Sequence, residues 1–126
     1  MNYSEIHTAC HESGMEAGSN VQISPVRIGH AKSLFSDEID YSRPTHIMED
    51  GPCGFAWVTI FPGNSSLARE YKRLNIAKKA HGGGVRIWVE EFGQSHDRKE
   101  AYANAYAKKL RELTGHDRIY AESMLD

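Results

Sequence analysis

GFAWVTIFP, residues 54–62, is the stretch on which the fold turns. Strand alternation sends Phe55, Trp57 and Phe61 to one side and Ala56, Val58 and Ile60 to the other. Both sides are apolar, so both need burial, and the stretch reads as the central strand of a sheet. Pro62, Gly63 and Asn64 then turn the chain into a helix from Ser65 to about Ala77. Asn64 or Ser65 is its cap, and Leu67, Tyr71 and Leu74 form its inner face. AHGGG, residues 80–84, ends that helix and reads as a loose connection.

VRIWVEEF, residues 85–92, is the next strand, with Val85, Ile87 and Val89 on a dry side and Arg86, Trp88 and Glu90 on a partly wet one. Gly93 breaks it. Ser95 caps the longest helix, which runs to about Thr114 with Gly115 at the left-handed C-terminal position. Its buried face is expected to hold Tyr102, Tyr106, Leu110 and Leu113, and its wet face Asp97, Glu100, Asn104, Lys108 and Arg111. Arg118 to Ser123 supplies a last short strand.

Upstream, Asn2 with Glu5 three residues later predicts a capping box, opening a helix that Gly18, Ser19 and Asn20 stop. Its apolar stripe, Ile6, Ala9, Cys10 and Ala17, is narrow and made mostly of small side chains. From Val21 to Gly51 the periodicity weakens, and Pro25 and Pro44 argue against a central strand, so irregular chain with edge strands is expected. The fold class is α/β (α+β): a small mixed sheet with an N-terminal helix and two helices packed on it. Residues 1–126 form one domain, in which 1–50 are helix plus irregular segment and 51–126 are a β-α-β-α-β core.

Composition narrows the function. Of 126 residues, 40% are hydrophobic and 25% charged, as in a folded globular domain, and the net charge of −2 speaks against wholesale binding to polyanions. Any such contact needs a local patch. No apolar run approaches a membrane span, and MNYSEIH lacks the layout of a secretion signal, so a soluble cytoplasmic protein without membrane contact is expected. Two cysteines, Cys10 and Cys53, make no disulfide framework.

Chemistry-bearing groups cluster in three places. HTACHESG, residues 7–14, sets His7 and His11 one helical turn apart with Cys10 between them, suited by type to a zinc site that Cys53, and His30 or His46, would have to complete. With no second ligand pair at a metal spacing, the reading taken is no metal and no cofactor, with Cys10 in the core and the histidines beside it. KRLNIAKKAHGGG, residues 72–84, brings Lys78, Lys79 and His81 to Gly82, Gly83 and Gly84. Glycine backbone beside cations can hold phosphate, but these glycines precede a strand rather than open a helix. FGQSHDRKE, residues 92–100, places Gln94, Ser95, His96 and Asp97 at a helix entry that favours anions. Three neighbours in sequence point different ways, so Ser95-His96-Asp97 is not a triad, and Ser95 is expected to cap. Catalysis is therefore not the expected role. Trp88, if its side of the strand is wet, is the expected binding anchor.

The stretches GFAWVTIFPGNSSLAREYKRLNIAKK, GGVRIWVEEFGQSHDRKEAYANAYAKKLRELTG and YAESMLD resemble small uncharacterised proteins encoded by tailed phages and related mobile elements. The shared features are a GFAWV strand, a GG-then-W strand, a QS-x-x-x-KEA helix entry and an ending of Ser, two residues, Asp. The likeness covers about residues 51 to 126, and Met124 stands where such proteins often carry arginine. It implies a viral or mobile-element accessory protein in the cytoplasm of a bacterial host. There it would bind a host or phage protein, with defence as one such role. The residues themselves leave two alternatives: a nucleic-acid-binding module using the Lys78 to Gly84 loop and, less favoured, an enzyme using the Gln94 to Asp97 helix entry.

Overall fold

A computed structural model describes residues 1–23, 26–28 and 46–126, with the backbone alone for 26–28 and 46–48. Its helices are α1 (Tyr3–Asn20), α2 (Ser66–Arg73) and α3 (His96–Thr114); its strands are β1 (Val26–Ile28), β2 (His46–Met48), β3 (Gly54–Ile60), β4 (Lys78–Lys79), β5 (Val85–Trp88) and β6 (Ile119–Leu125). β1 and β2 pair antiparallel with each other. The other four strands form one sheet in the order β4-β5-β3-β6, with β3 inside as its two apolar faces demand.

Every pairing in that sheet is antiparallel. Alternation along one strand cannot fix the direction of its neighbour, and the sheet expected to be mixed is antiparallel throughout. Two β-α-β units interlock: β5 lies between β3 and β4, and β3 lies between β5 and β6. This is the ferredoxin-like split β-α-β arrangement, an α+β fold with its N-terminal helix ahead of the core. Its extra strand, β4, stands where the sequence suggested only a connection.

One face of the sheet makes the core. Ala56, Val58 and Ile60 of β3, Val85 and Ile87 of β5 and Ile119 of β6 are buried against Leu67, Ala68 and Tyr71 of α2 and Tyr102, Ala103, Tyr106, Ala107 and Leu110 of α3. Leu113 lies at the margin, 36% exposed, rather than inside. The caps follow the sequence: Ser95 accepts from the Arg98 amide, and Gly115 takes φ 70°. α2 ends earlier than expected, at Arg73, because Asn75 adopts φ 60° and turns the chain into β4.

α1 begins with the expected capping box of Asn2 and Glu5. Gly18 does not stop it. The buried stripe is Ile6, Cys10, Gly14 and Gly18, and the two glycines, not Ala9 and Ala17, form its C-terminal half. A Cβ on Gly14 would meet the Tyr102 ring at 2.6 Å, and one on Gly18 the Phe92 ring at 2.3 Å. Backbone-to-ring contact is what brings α1 onto α3.

Candidate functional site

The second face of the sheet carries no helix among the described residues. Alternation places Phe55, Trp57 and Thr59 of β3, Arg86 and Trp88 of β5, and Tyr120, Glu122 and Met124 of β6 on it. Aromatic rings and cations interleave there. The Trp57 and Trp88 ring centroids are 4.9 Å apart, and the Arg86 guanidinium carbon lies 5.2 Å from the Trp57 ring. Phe61 and Tyr120 repeat the pattern, centroids 6.1 Å apart, with Arg118 at 5.4 Å over Phe61. Trp57 is held in place from the side, its indole N–H donating to Glu122. Trp57 is only 9% exposed, whereas Phe55, Trp88 and Tyr120 are 41%, 47% and 47% exposed. A fixed inner ring thus supports outer rings that meet solvent.

At the edge of this face lies a cleft of about 350 Å³. It lies where β4, two residues long, stops: Lys78 pairs with Arg86 and Lys79 with Val85, and among the described residues no strand continues beside Trp88, where Asn75 and Ile76 line the cleft instead. Lys78, Arg86 and Trp88 line one part of it, Glu90 and Glu91 another, and His7 and Tyr102 its wall on the helical side. Glu91 is engaged, one oxygen accepting from the Glu90 amide at 3.0 Å and the other 3.5 Å from His11 Nδ1. Glu90 is exposed and has no cationic partner among the described residues.

The sequence-derived candidates fall unequally around this site. Trp88 and Lys78 belong to it, and Trp88 stands on the wet side as expected. Lys79 and His81 are exposed on the neighbouring hairpin. Gly82, Gly83 and Gly84 form the turn of that hairpin, closed by the Ala80 amide on the Gly84 carbonyl, with φ 93° at Gly83 and 72° at Gly84. Positive φ at two successive positions explains the glycines as turn chemistry rather than as a phosphate loop.

Gln94, Ser95, His96 and Asp97 lie elsewhere, where the chain segments 50–54, 94–100 and 123–126 meet. Cys53 bridges Ser95 in register, its Sγ reaches Gln94 Oε1 at 3.5 Å, and the Ser95 hydroxyl donates to the Asp50 carbonyl at 2.7 Å. Arg98 ties the region to α1 through the Gly18 and Ser19 carbonyls. His96 contacts Asp97 at 2.9 Å through Nδ1 and the Ser123 hydroxyl at 3.2 Å through Nε2. That resembles a relay, with Ser123 rather than Ser95 in the nucleophile's place. However, Ser123 has one hydroxyl proton, and the shorter contact, 2.6 Å, gives it to Glu100. These groups hold chain segments together.

His7 and His11 are wall and buttress. His7 Nδ1 meets the Tyr106 hydroxyl at 2.7 Å, which bonds in turn to Tyr71 at 3.1 Å; His11 Nδ1 meets the Tyr102 hydroxyl at 2.7 Å. Burial, and then His11 nearby, lower the His7 pKa, and Glu91 opposes them. Burial pushes the Cys10 thiol up to about 12, so it remains a core thiol. Cys53 keeps company with Gln94 and Ser95, not with Cys10, and no group of three or more metal-capable side chains occurs among the described residues. His30 and the His46 side chain lie outside the described residues.

Alternation in VRIWVE already put Arg86, Trp88 and Glu90 together. What sequence reasoning missed was the partnership of Arg86 and Arg118 with rings on other strands, since that depends on register. No family model, curated protein or solved structure matches the chain. No helix among the described residues is long and apolar enough to cross a membrane.

Proposed function

We propose that the protein binds single-stranded nucleic acid on the face of its sheet that carries Trp57, Trp88 and Arg86. The observation that carries the proposal is the interleaving of ring and cation on adjacent strands: Trp57 with Trp88 and Arg86, and Phe61 with Tyr120 and Arg118. Exposed rings offer bases a stacking surface, and guanidinium and ammonium groups offer phosphates a counter-charge. A four-stranded sheet of split β-α-β units with aromatic groups on its central strands is a known way of presenting single strands. The overall charge of −2 is no obstacle, because the cations that matter are local. Relative to the sequence reading, the nucleic-acid contact moves from the glycine loop to the sheet beside it.

Fluorescence anisotropy with a labelled oligo-dT at low salt tests this. Binding should weaken steeply as salt rises. Trp88→Ala should weaken it roughly tenfold, the worth of one stacked base, and Arg86→Ala should flatten the salt dependence. No binding at low salt rejects the reading.

A protein partner is favoured by a separate observation. Among the described residues β6 has a strand neighbour on one side only, and Met124 and Leu125 on it are exposed. An extended segment of a host or phage protein could add to that edge. The phage-protein resemblance would set either activity in a bacterial cytoplasm. Capture from bacterial lysate that is lost in Leu125→Asp, with oligonucleotide binding absent, would favour this second reading.

A further inference from the structure

We propose that the cleft beside β5 selects the base stacked on Trp88, and that it selects guanine; this rests on the single-strand reading above. The Val89 amide still bonds the Ala56 carbonyl, so the ladder runs one residue past β5 and the alternation Arg86, Trp88, Glu90 holds through it. Successive members of that row are roughly 7 Å apart. Charge therefore changes sign along the row: cationic at Arg86 and its cross-strand neighbour Lys78, aromatic at Trp88, anionic at Glu90.

A nucleotide on Trp88 has a preferred orientation in this field. Its phosphate lies toward Arg86 and Lys78, and its base edge points toward Glu90. Glu91 turns toward His11 on the helical side, with one oxygen accepting from the Glu90 amide, so Glu90, exposed on the Trp88 side of the strand, is the carboxylate placed among the described residues to read that edge. A carboxylate only accepts. Guanine presents two adjacent donors on its Watson–Crick edge, N1–H and the N2 amino group, which match the two oxygens in parallel. Cytosine and adenine each present one amino donor beside a ring-nitrogen lone pair that repels the carboxylate. Thymine and uracil present one N–H flanked by two carbonyl oxygens. A cleft of about 350 Å³ has room for one base and part of its sugar.

The test compares a labelled dT8 strand with the same strand carrying a single dG, which avoids guanine self-association. Against wild-type protein the dG strand should bind about tenfold tighter, as one bidentate pair discriminates. Glu90→Gln, which replaces an acceptor by a donor, should abolish that gain, so that the dG strand and dT8 bind the variant alike. Circular dichroism melting of Glu90→Gln, an exposed position, should show an unaltered fold. Equal binding of the two strands, or a dG preference that survives Glu90→Gln, overturns guanine selection while leaving the single-strand reading intact. Failure of both strands to bind at low salt overturns both.

Discussion

The indoles of Trp57 and Trp88 face each other across two adjacent strands, centroids 4.9 Å apart, yet one is 9% exposed and the other 47%. Position on the sheet separates them: Trp57 sits on the central strand between Trp88 and Glu122, whereas Trp88 has one strand beside it as far as β3 and the cleft on the other side. The same residue type thus has two tasks, support and contact.

Urea denaturation should divide those tasks. Trp57→Ala empties a buried site and leaves Glu122 without its donor, so a loss of about 3–5 kcal/mol is expected. Trp88→Ala removes a half-exposed ring and should cost about 1 kcal/mol while abolishing most oligonucleotide affinity. Equal destabilisation by the two would mean that Trp88 is part of the core.

His7 should make stability fall on mild acidification. Its folded pKa lies below the ordinary value of 6.5 because burial and His11 oppose its charging. Above about pH 6.5 neither state carries the proton, and the His7 contribution is fully present. As the pH falls below that, the unfolded chain takes up the proton first, and stability is lost down to the folded pKa. The urea midpoint of the wild type should drop between pH 7.5 and 5.5 by more than that of His7→Gln, which can keep a hydrogen bond to Tyr106 but does not titrate there.

The two cysteines should be chemically distinct. Cys10 is 0% exposed with its thiol pushed up to about 12, and Cys53 is half-buried near the surface. One equivalent of an aromatic disulfide reagent should react with native protein at pH 8, at Cys53, and the second only on unfolding. Rapid reaction of both in the native state would contradict the packing of α1.

Gly18→Ala should destabilise despite the better helix propensity of alanine. The new methyl would meet the Phe92 ring at 2.3 Å and the Arg98 carbonyl at 3.0 Å. Overpacking of this kind costs about 1–3 kcal/mol, against a propensity gain of about 1 kcal/mol. A melting temperature several degrees below wild type is the expected result, and an increase would show that Phe92 swings aside freely.

Much of this architecture is legible in the sequence where the pattern is strong. Two apolar faces placed GFAWVTI at the sheet centre, alternation sorted Arg86 and Trp88 from Val85 and Ile87, and Ser95 and Gly115 marked the ends of α3. The illegible parts depend on partners distant in sequence. Strand direction comes from connections, β4 is too short to show a period, and Gly14 and Gly18 look like helix breakers until Tyr102 and Phe92 are seen against them. The site was half legible for the same reason: Trp88 and Lys78 stood out, but the cleft follows from where β4 stops.

The rungs between α1 and α3 repeat. His7 meets Tyr106 and, one turn on, His11 meets Tyr102. Two such similar rungs would tolerate a slip of α1 by a full turn, like a vernier read one mark out. The buried stripe forbids it, because its side chains taper from Ile6 through Cys10 to Gly14 and Gly18. A one-turn slip in one direction would press the Cys10 side chain onto the Tyr102 ring where Gly14 now leaves room. Hydrogen bonds make the helix pair adhere, but the gradient in side-chain size tells it where to stop.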